Sequence, residues 1–262
     1  MKAFPKQGRG CLAQTTNPAG FTLVELLVVL AGLGLLAALG FSGLRQATGS
    51  SQTSRCAANL RTMAQAVLAY SADEGGKIPP AMVLADSGET DGTGHRLWID
   101  YLQPYLPALT GRENQHPYLC PAARRPGLWN NRCPDYGCNS RWSDSENVGA
   151  FALQSWNPEP YPAEVRAVRI QNPSQLVMFA DSYSSNNVSE NGRWALDLRP
   201  LTQGGGAGQL LAGGIAPRHQ VRGDSGLGRF NVVFFDGHVE SVDVRDPRLQ
   251  DPATCRRWIS LE

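Results

Sequence analysis

The chain has 262 residues, 18% of them charged and 42% hydrophobic, with a formal net charge of +1. That is enough for one ordinary domain plus an appendage, and too hydrophobic for a disordered chain. Lys2, Lys6 and Arg9 stand in the first twenty residues without an acid, so the remainder is slightly acidic and lacks the clustered Lys and Arg of a nucleic-acid surface.

In chain order, the first signal is a short basic leader followed by "GFTLVELLVVL" from Gly20. Glu25 is the single charged residue between Arg9 and Arg45. The uncharged run 26–44 would form a helix of about 29 Å, matching a hydrocarbon core of about 30 Å, so a single membrane span is expected. A carboxylate in such a run is costly and points to function. Gly32, Gly34, Gly40 and Gly43 interrupt the run and permit close helix packing.

The leader, Gly20, Phe21 and the acid five residues into the apolar run resemble the processing site of type IV prepilins and type II secretion pseudopilins. The resemblance implies cleavage after Gly20 by a prepilin peptidase and N-methylation of Phe21. Cutting there leaves the apolar helix on the mature chain and creates an ammonium at Phe21. Glu25, one turn on or in a neighbouring subunit, is its natural partner. Pilins usually carry a proline shortly after this point, where Gly40-Phe41-Ser42-Gly43 stands here.

Beyond Arg45, Cys56, Leu60, Met63, Val67 and Tyr70 recur at helical spacing beside Ala64 and Leu68, forming one apolar stripe. Gly75-Gly76 and Pro79-Pro80 end this helix. The segments "SRCAANL", "YLCPAARRP" (118–126), "DYGCNS" (135–140), "NPSQLVMFADS" (172–182) and "RHQVRGDSGLGRFNVVFFDGHVESV" (218–242) resemble, in this order, a pseudopilin-like branch. That branch has a Cys-x-x-Asn-Leu helix, a Cys-Pro segment and a C-terminal His-spacer-Asp-Gly signature. Its usual spacer is about nine residues. Here sixteen residues separate His219 from Asp236, an insertion placed at "GDSGLG".

The head should begin near Ile78. Residues 81–96 read as loop, and 97–109 as a short helix broken by Pro104. Residues 174–181 read as a buried strand, and 203–209 as loop. The stretch 230–244 reads as a hairpin with Asp236-Gly237 in a type I′ turn. The expected fold is α+β: a long N-terminal helix, transmembrane then amphipathic, packed under a small antiparallel-sheet head with long loops. The expected boundaries are a cleaved leader (1–20), a transmembrane and assembly helix (21–45), an amphipathic helix (46–74) and an extracytoplasmic head (75–262).

Asp181, His219, Asp236 and His238 would form a metal or hydrolase site if they met, though Asp236 has a turn to make. The pseudopilin resemblance also implies a structural calcium among head carboxylates, Asp181 included; otherwise no cofactor is expected. Cys11 leaves with the leader, and Cys56 on the stripe reads as a small buried hydrophobe. A disulfide among Cys120, Cys133 and Cys138 is expected, with zinc at His116, Cys120, Cys133 and Cys138 as the alternative.

The function expected is that of a non-enzymatic structural subunit of a type II secretion or type IV pilus-like filament. Its partners would be the prepilin peptidase, other pilin or pseudopilin subunits, the inner-membrane assembly machinery and membrane lipid, with no nucleic acid. It would be a single-pass inner-membrane protein, N-terminus cytoplasmic and head outside. The alternatives are an anchored surface-binding protein that does not polymerise, and an anchored metal-dependent enzyme.

Overall fold

The structure is a computed structural model that describes residues 21–84, 95–107, 116–123, 134–141, 149–152, 164–183, 195–196, 198, 211, 213–221 and 228–261. Gly20, Cys11, Cys133 and the loop at 203–209 lie outside the described residues. The chain divides into two units, residues 1–46 and residues 47–262. Helix α1 is Leu23–Asp73.

In the first unit, every residue from 21 to 37 is exposed. The start of α1 has a reciprocal cap. The Glu25 N–H donates to Thr22 Oγ1 at 3.2 Å, and the Thr22 N–H donates back to Glu25 Oε2 at 2.9 Å. This Thr-x-x-Glu pairing satisfies amides that a helix start otherwise leaves open. It gives Glu25 a local role that the apolar run concealed.

The expected membrane span is corrected here. Among the described residues no helix is long and apolar enough to cross a membrane. The uncharged run with described side chains, 26–37, is about 18 Å long against a hydrocarbon thickness of about 30 Å. The side chains of 38–44, on which the expectation also relied, lie outside the described set. The expectation of a transmembrane helix and of a single-pass inner-membrane protein is therefore overturned.

In the second unit the rest of α1 is amphipathic. Cys56, Leu60, Met63, Ala64 and Val67 are fully buried, whereas Leu68 is 44% exposed and does not belong to the stripe. Tyr70 meets Tyr101 and Tyr105 edge-on at 6.2 and 6.0 Å. The helix stops because Gly75 and Gly76 take φ of 63° and 87°, with the Gly76 N–H donating to Ser71 O at 2.7 Å.

The strands β1 (Met82–Leu84) and β2 (His95–Leu97) form a small antiparallel sheet where loop was expected. Helix α2 (Trp98–Leu102) follows, and a 3-10 turn at Gln103–Tyr105 accommodates Pro104. The main sheet comprises β3 (Tyr136–Arg141), β4 (Phe151–Ala152), β5 (Val177–Asp181), β6 (Ala195–Leu196), β7 (Arg229–Phe234) and β8 (Val239–Asp243). Its order is β4-β3-β5-β7-β8, with β6 also on β3. The β3-β5-β7-β8 run is antiparallel, but β4 and β6 pair with β3 in parallel. The sheet is thus mixed, which corrects the antiparallel expectation. The parallel partners are two-residue strands reached across long connections, and such short pieces leave no alternation to read.

The sheet is covered on both faces. The α1 side packs Leu60, Met63 and Val67 with Trp98, Phe151, Phe179 and Val233. The other side packs Phe230, Val232 and Phe234 with Trp258 and Ile259 of α3 (Pro252–Ile259). Alternation along β7 sends successive side chains to opposite cores.

The β7–β8 hairpin forms where expected, with a different turn. The Gly237 N–H donates to Phe234 O at 2.9 Å and the Phe234 N–H to His238 O at 3.0 Å, closing a three-residue loop. Gly237 has φ of 87° and Asp236 keeps a negative φ, so this is a type I turn followed by a left-handed glycine, in place of type I′. Gly237→Val should cost about 1–3 kcal/mol through backbone strain alone, since open space surrounds the position. Asp236→Pro should destabilise too, because it removes the amide that donates to Pro173 O. An unchanged melting temperature in Gly237→Val would contradict this turn.

Candidate functional site

Four buried side chains from four distant segments converge in the head: Cys56, Cys120, Asp181 and His219. The sheet and helix place each of them. Cys56 lies on the buried stripe of α1, where helical periodicity turns it inward. Asp181 ends β5 opposite Tyr136 of β3. Cys120 sits in the 116–123 segment, which the Asn59 side chain ties to α1 through a 2.9 Å bond to Leu119 O. The Cys120 N–H donates to Asp135 at 2.6 Å, and Asp135 is ion-paired to Arg218 at 3.3 Å.

His219 is held by a two-way bridge to Arg229 at the start of β7, with bonds of 2.9 and 2.6 Å. That bridge fixes the histidine to the strand across the base of the long spacer. Gly228 is required beside the bridge, because a Cβ there would fall 2.2 Å from His219 O.

The donor atoms all lie within 4.8 Å of one another. Cys56 Sγ is 2.9 Å from Cys120 Sγ and 3.3 Å from Asp181 Oδ1. His219 Nε2 is 3.5 Å from Cys120 Sγ and 3.2 Å from Asp181 Oδ2. A second layer orients them. Tyr136 Oη is 2.8 Å from Cys56 Sγ, the Asn231 N–H donates to Asp181 Oδ2 at 2.6 Å, and Thr53 Oγ1 is 3.4 Å from His219 Nδ1. The Thr53 hydroxyl donates to Gly49 O at 2.9 Å, so towards His219 it serves as an acceptor. Nδ1 therefore carries hydrogen, and Nε2 faces the cluster.

Burial pushes the Cys56 thiol up, and its hydrogen bond to Cys120 adds to this. Burial also raises Cys120, but its bonds to Cys56 and His219 and the charge of Arg218 outweigh burial and lower it to about 6. Burial alone would lower His219, yet its bonds to Asp181 and Cys120 bring it up to about 9. Both shifts favour moving the proton from Cys120 to His219. Burial pushes the Tyr136 phenol well above its ordinary range.

The four residues are 0–4% exposed. A Cys–His pair has the elements of a nucleophile, but here both side chains are buried. A cavity of about 310 Å³ lined by Tyr70, Lys77, Met82 and Tyr101, among others, includes none of the four.

The sequence-predicted residues are distributed differently from the single set of Asp181, His219, Asp236 and His238. Asp181 and His219 meet. Asp236 and His238 form a separate exposed pair at the hairpin turn, 2.5 Å apart, with His238 stacked on Phe234. Cys120 and Cys138 are both free, Cys120 lies against Cys56, and Cys133 is outside the described residues. His116 lies against Tyr118, with ring centroids 5.1 Å apart and planes tilted by 34°, and is not part of the cluster. Phe21 is exposed, and Glu25 caps α1. Calcium takes about six to eight oxygen ligands, whereas Asp181 brings the only carboxylate among these four donors. Cys56 is the residue the sequence reading missed. Its signal was a cysteine on a core-facing stripe, which an ordinary buried thiol gives equally well. No family model, curated protein or solved structure matches the chain.

Proposed function

We propose that this chain is a pseudopilin-like structural subunit of a type II secretion or type IV pilus-like filament. A prepilin peptidase cuts after Gly20, Phe21 becomes the methylated N-terminus, and copies assemble through the start of α1. The observation that carries this reading is the uncovered apolar surface of residues 21–37. Phe21, Leu23 and Val24 are 82%, 79% and 70% exposed, and Leu26 to Leu30 and Leu33 to Leu36 present large side chains on every side. A helix apolar all round needs cover. Parallel copies of the same helix supply it, and Gly32 and Gly34, with open space around them, allow backbones to approach.

Glu25 completes the assembly reading. Its Oε2 accepts from Thr22, and Oε1 is the acceptor for the Phe21 ammonium of a neighbouring copy. The closed head cluster supports a structural role over turnover. Glu25→Leu should still be cleaved after Gly20, because the leader and glycine carry that signal, but it should form no filaments by negative-stain microscopy. Assembly of Glu25→Leu at the wild-type level would remove the pairing role. Correctly processed wild-type protein that never forms filaments alongside its assembly machinery would overturn the function.

A further inference from the structure

We propose that Cys56, Cys120, Asp181 and His219 bind one zinc ion as a closed structural centre that locks the head-side half of α1 onto the sheet. The donor set is two sulfurs, one imidazole nitrogen and one carboxylate oxygen. Zinc is borderline-soft, imposes no strong geometry of its own and accepts this mixture, whereas magnesium and calcium select oxygen.

The distances fit. With Zn–S of about 2.3 Å and Zn–N or Zn–O of about 2.0–2.2 Å, tetrahedral donors stand roughly 3.3–3.8 Å apart. Two edges of the cluster that involve the presented donors, at 3.3 and 3.5 Å, lie within that range. The 2.9 Å separation of the sulfurs has to open by about 0.9 Å, a side-chain adjustment. The alternative chemistry for two such sulfurs is a disulfide, which must close them by about 0.9 Å to about 2.05 Å. The other two donors decide between them. A disulfide has no use for a buried imidazole and carboxylate set against both sulfurs, and a tetrahedral ion requires them.

The surrounding groups are those a metal centre needs. Thr53 takes the Nδ1 hydrogen and leaves Nε2 for the ion, the Asn231 N–H holds Oδ2 so that Oδ1 is presented, and the Tyr136 hydroxyl supports the Cys56 sulfur. Such outer contacts fix ligand orientation. All four ligands come from protein and all are buried, so no position is left for substrate and the centre is structural. Its ligands span residues 56 to 219, so binding is coupled to folding.

The test uses the full chain purified under reducing conditions without chelator, then incubated with zinc and desalted. Elemental analysis should find about one zinc per chain. Cobalt replacement should give the thiolate charge-transfer and tetrahedral d–d absorption bands. Cys120→Ser should lose the charge-transfer intensity or the metal, while Cys255→Ser, distant in α3, should keep both. Thr53→Val should weaken zinc about 10–100-fold, as outer contacts do. No retained zinc in folded wild-type protein overturns the proposal, and so does a Cys56–Cys120 disulfide in metal-free protein purified without reductant. These results are independent of cleavage at Gly20, so the centre and the filament reading stand or fall separately.

Discussion

Phe179→Ala should destabilise the head by about 3–5 kcal/mol, lowering its melting temperature by roughly 6–20 °C. Phe179 is fully buried in the middle of β5, the central strand, and its ring lies 4.8 Å from Trp98 and 5.1 Å from Phe151. These neighbours belong to α2 and β4, elements held by their own hydrogen bonds, so they cannot collapse into the space the ring leaves. The cost therefore includes a cavity as well as the lost transfer free energy. Phe179 also stands two residues before Asp181, so slackening of β5 should loosen the four-donor centre. Thermal unfolding followed by circular dichroism reads the effect. A loss under about 1 kcal/mol would mean that this core is not packed as described.

Gly20→Trp should block maturation completely. The peptidase must bring the backbone around the scissile bond close to its catalytic groups, and a large side chain at the residue before the cut obstructs that approach. The product expected on a denaturing gel coupled to mass determination is the full precursor, with the leader still attached and no methyl at Phe21. Filaments should be absent, since Phe21 then has no free ammonium. Normal cleavage of Gly20→Trp would place the processing site elsewhere.

Local patterns made much of the head legible. The stripe on α1, the glycine stop at 75–76, the buried β5 and the β7–β8 hairpin each depend on neighbours within a few residues, and each formed. The turn type was misjudged because Asp-Gly serves both a two-residue type I′ turn and the end of a three-residue loop. Choosing between them needs the strand register, which pairs Val233 with Val239. Mixed strand direction was hidden because β4 and β6 have two residues each.

The centre was harder to see, since its parts are far apart in sequence and each has an ordinary reading. Cys56 looks like core, Cys120 like half of a disulfide, Asp181 like a strand end and His219 like a loop residue before an insertion. Spacing rules favour donors close in sequence, which directed attention to His116, Cys133 and Cys138. What unites the real set is topology. The antiparallel β3-β5-β7 order puts Asp181 beside Tyr136 and Asn231, the His219–Arg229 bridge brings the histidine to the same end, and α1 lays Cys56 across it. The apolar composition of residues 26–44 reads as a membrane span, which the described helix does not bear out, and the Thr22–Glu25 cap is a local pattern that those apolar surroundings hide.

The measurement that bears most directly on the filament reading is intact-mass and N-terminal analysis of the protein isolated from cells that carry a prepilin peptidase. A chain beginning at Phe21 with one added methyl group is the predicted result. A chain that begins at Met1, or at any residue within or beyond the apolar run, would contradict it.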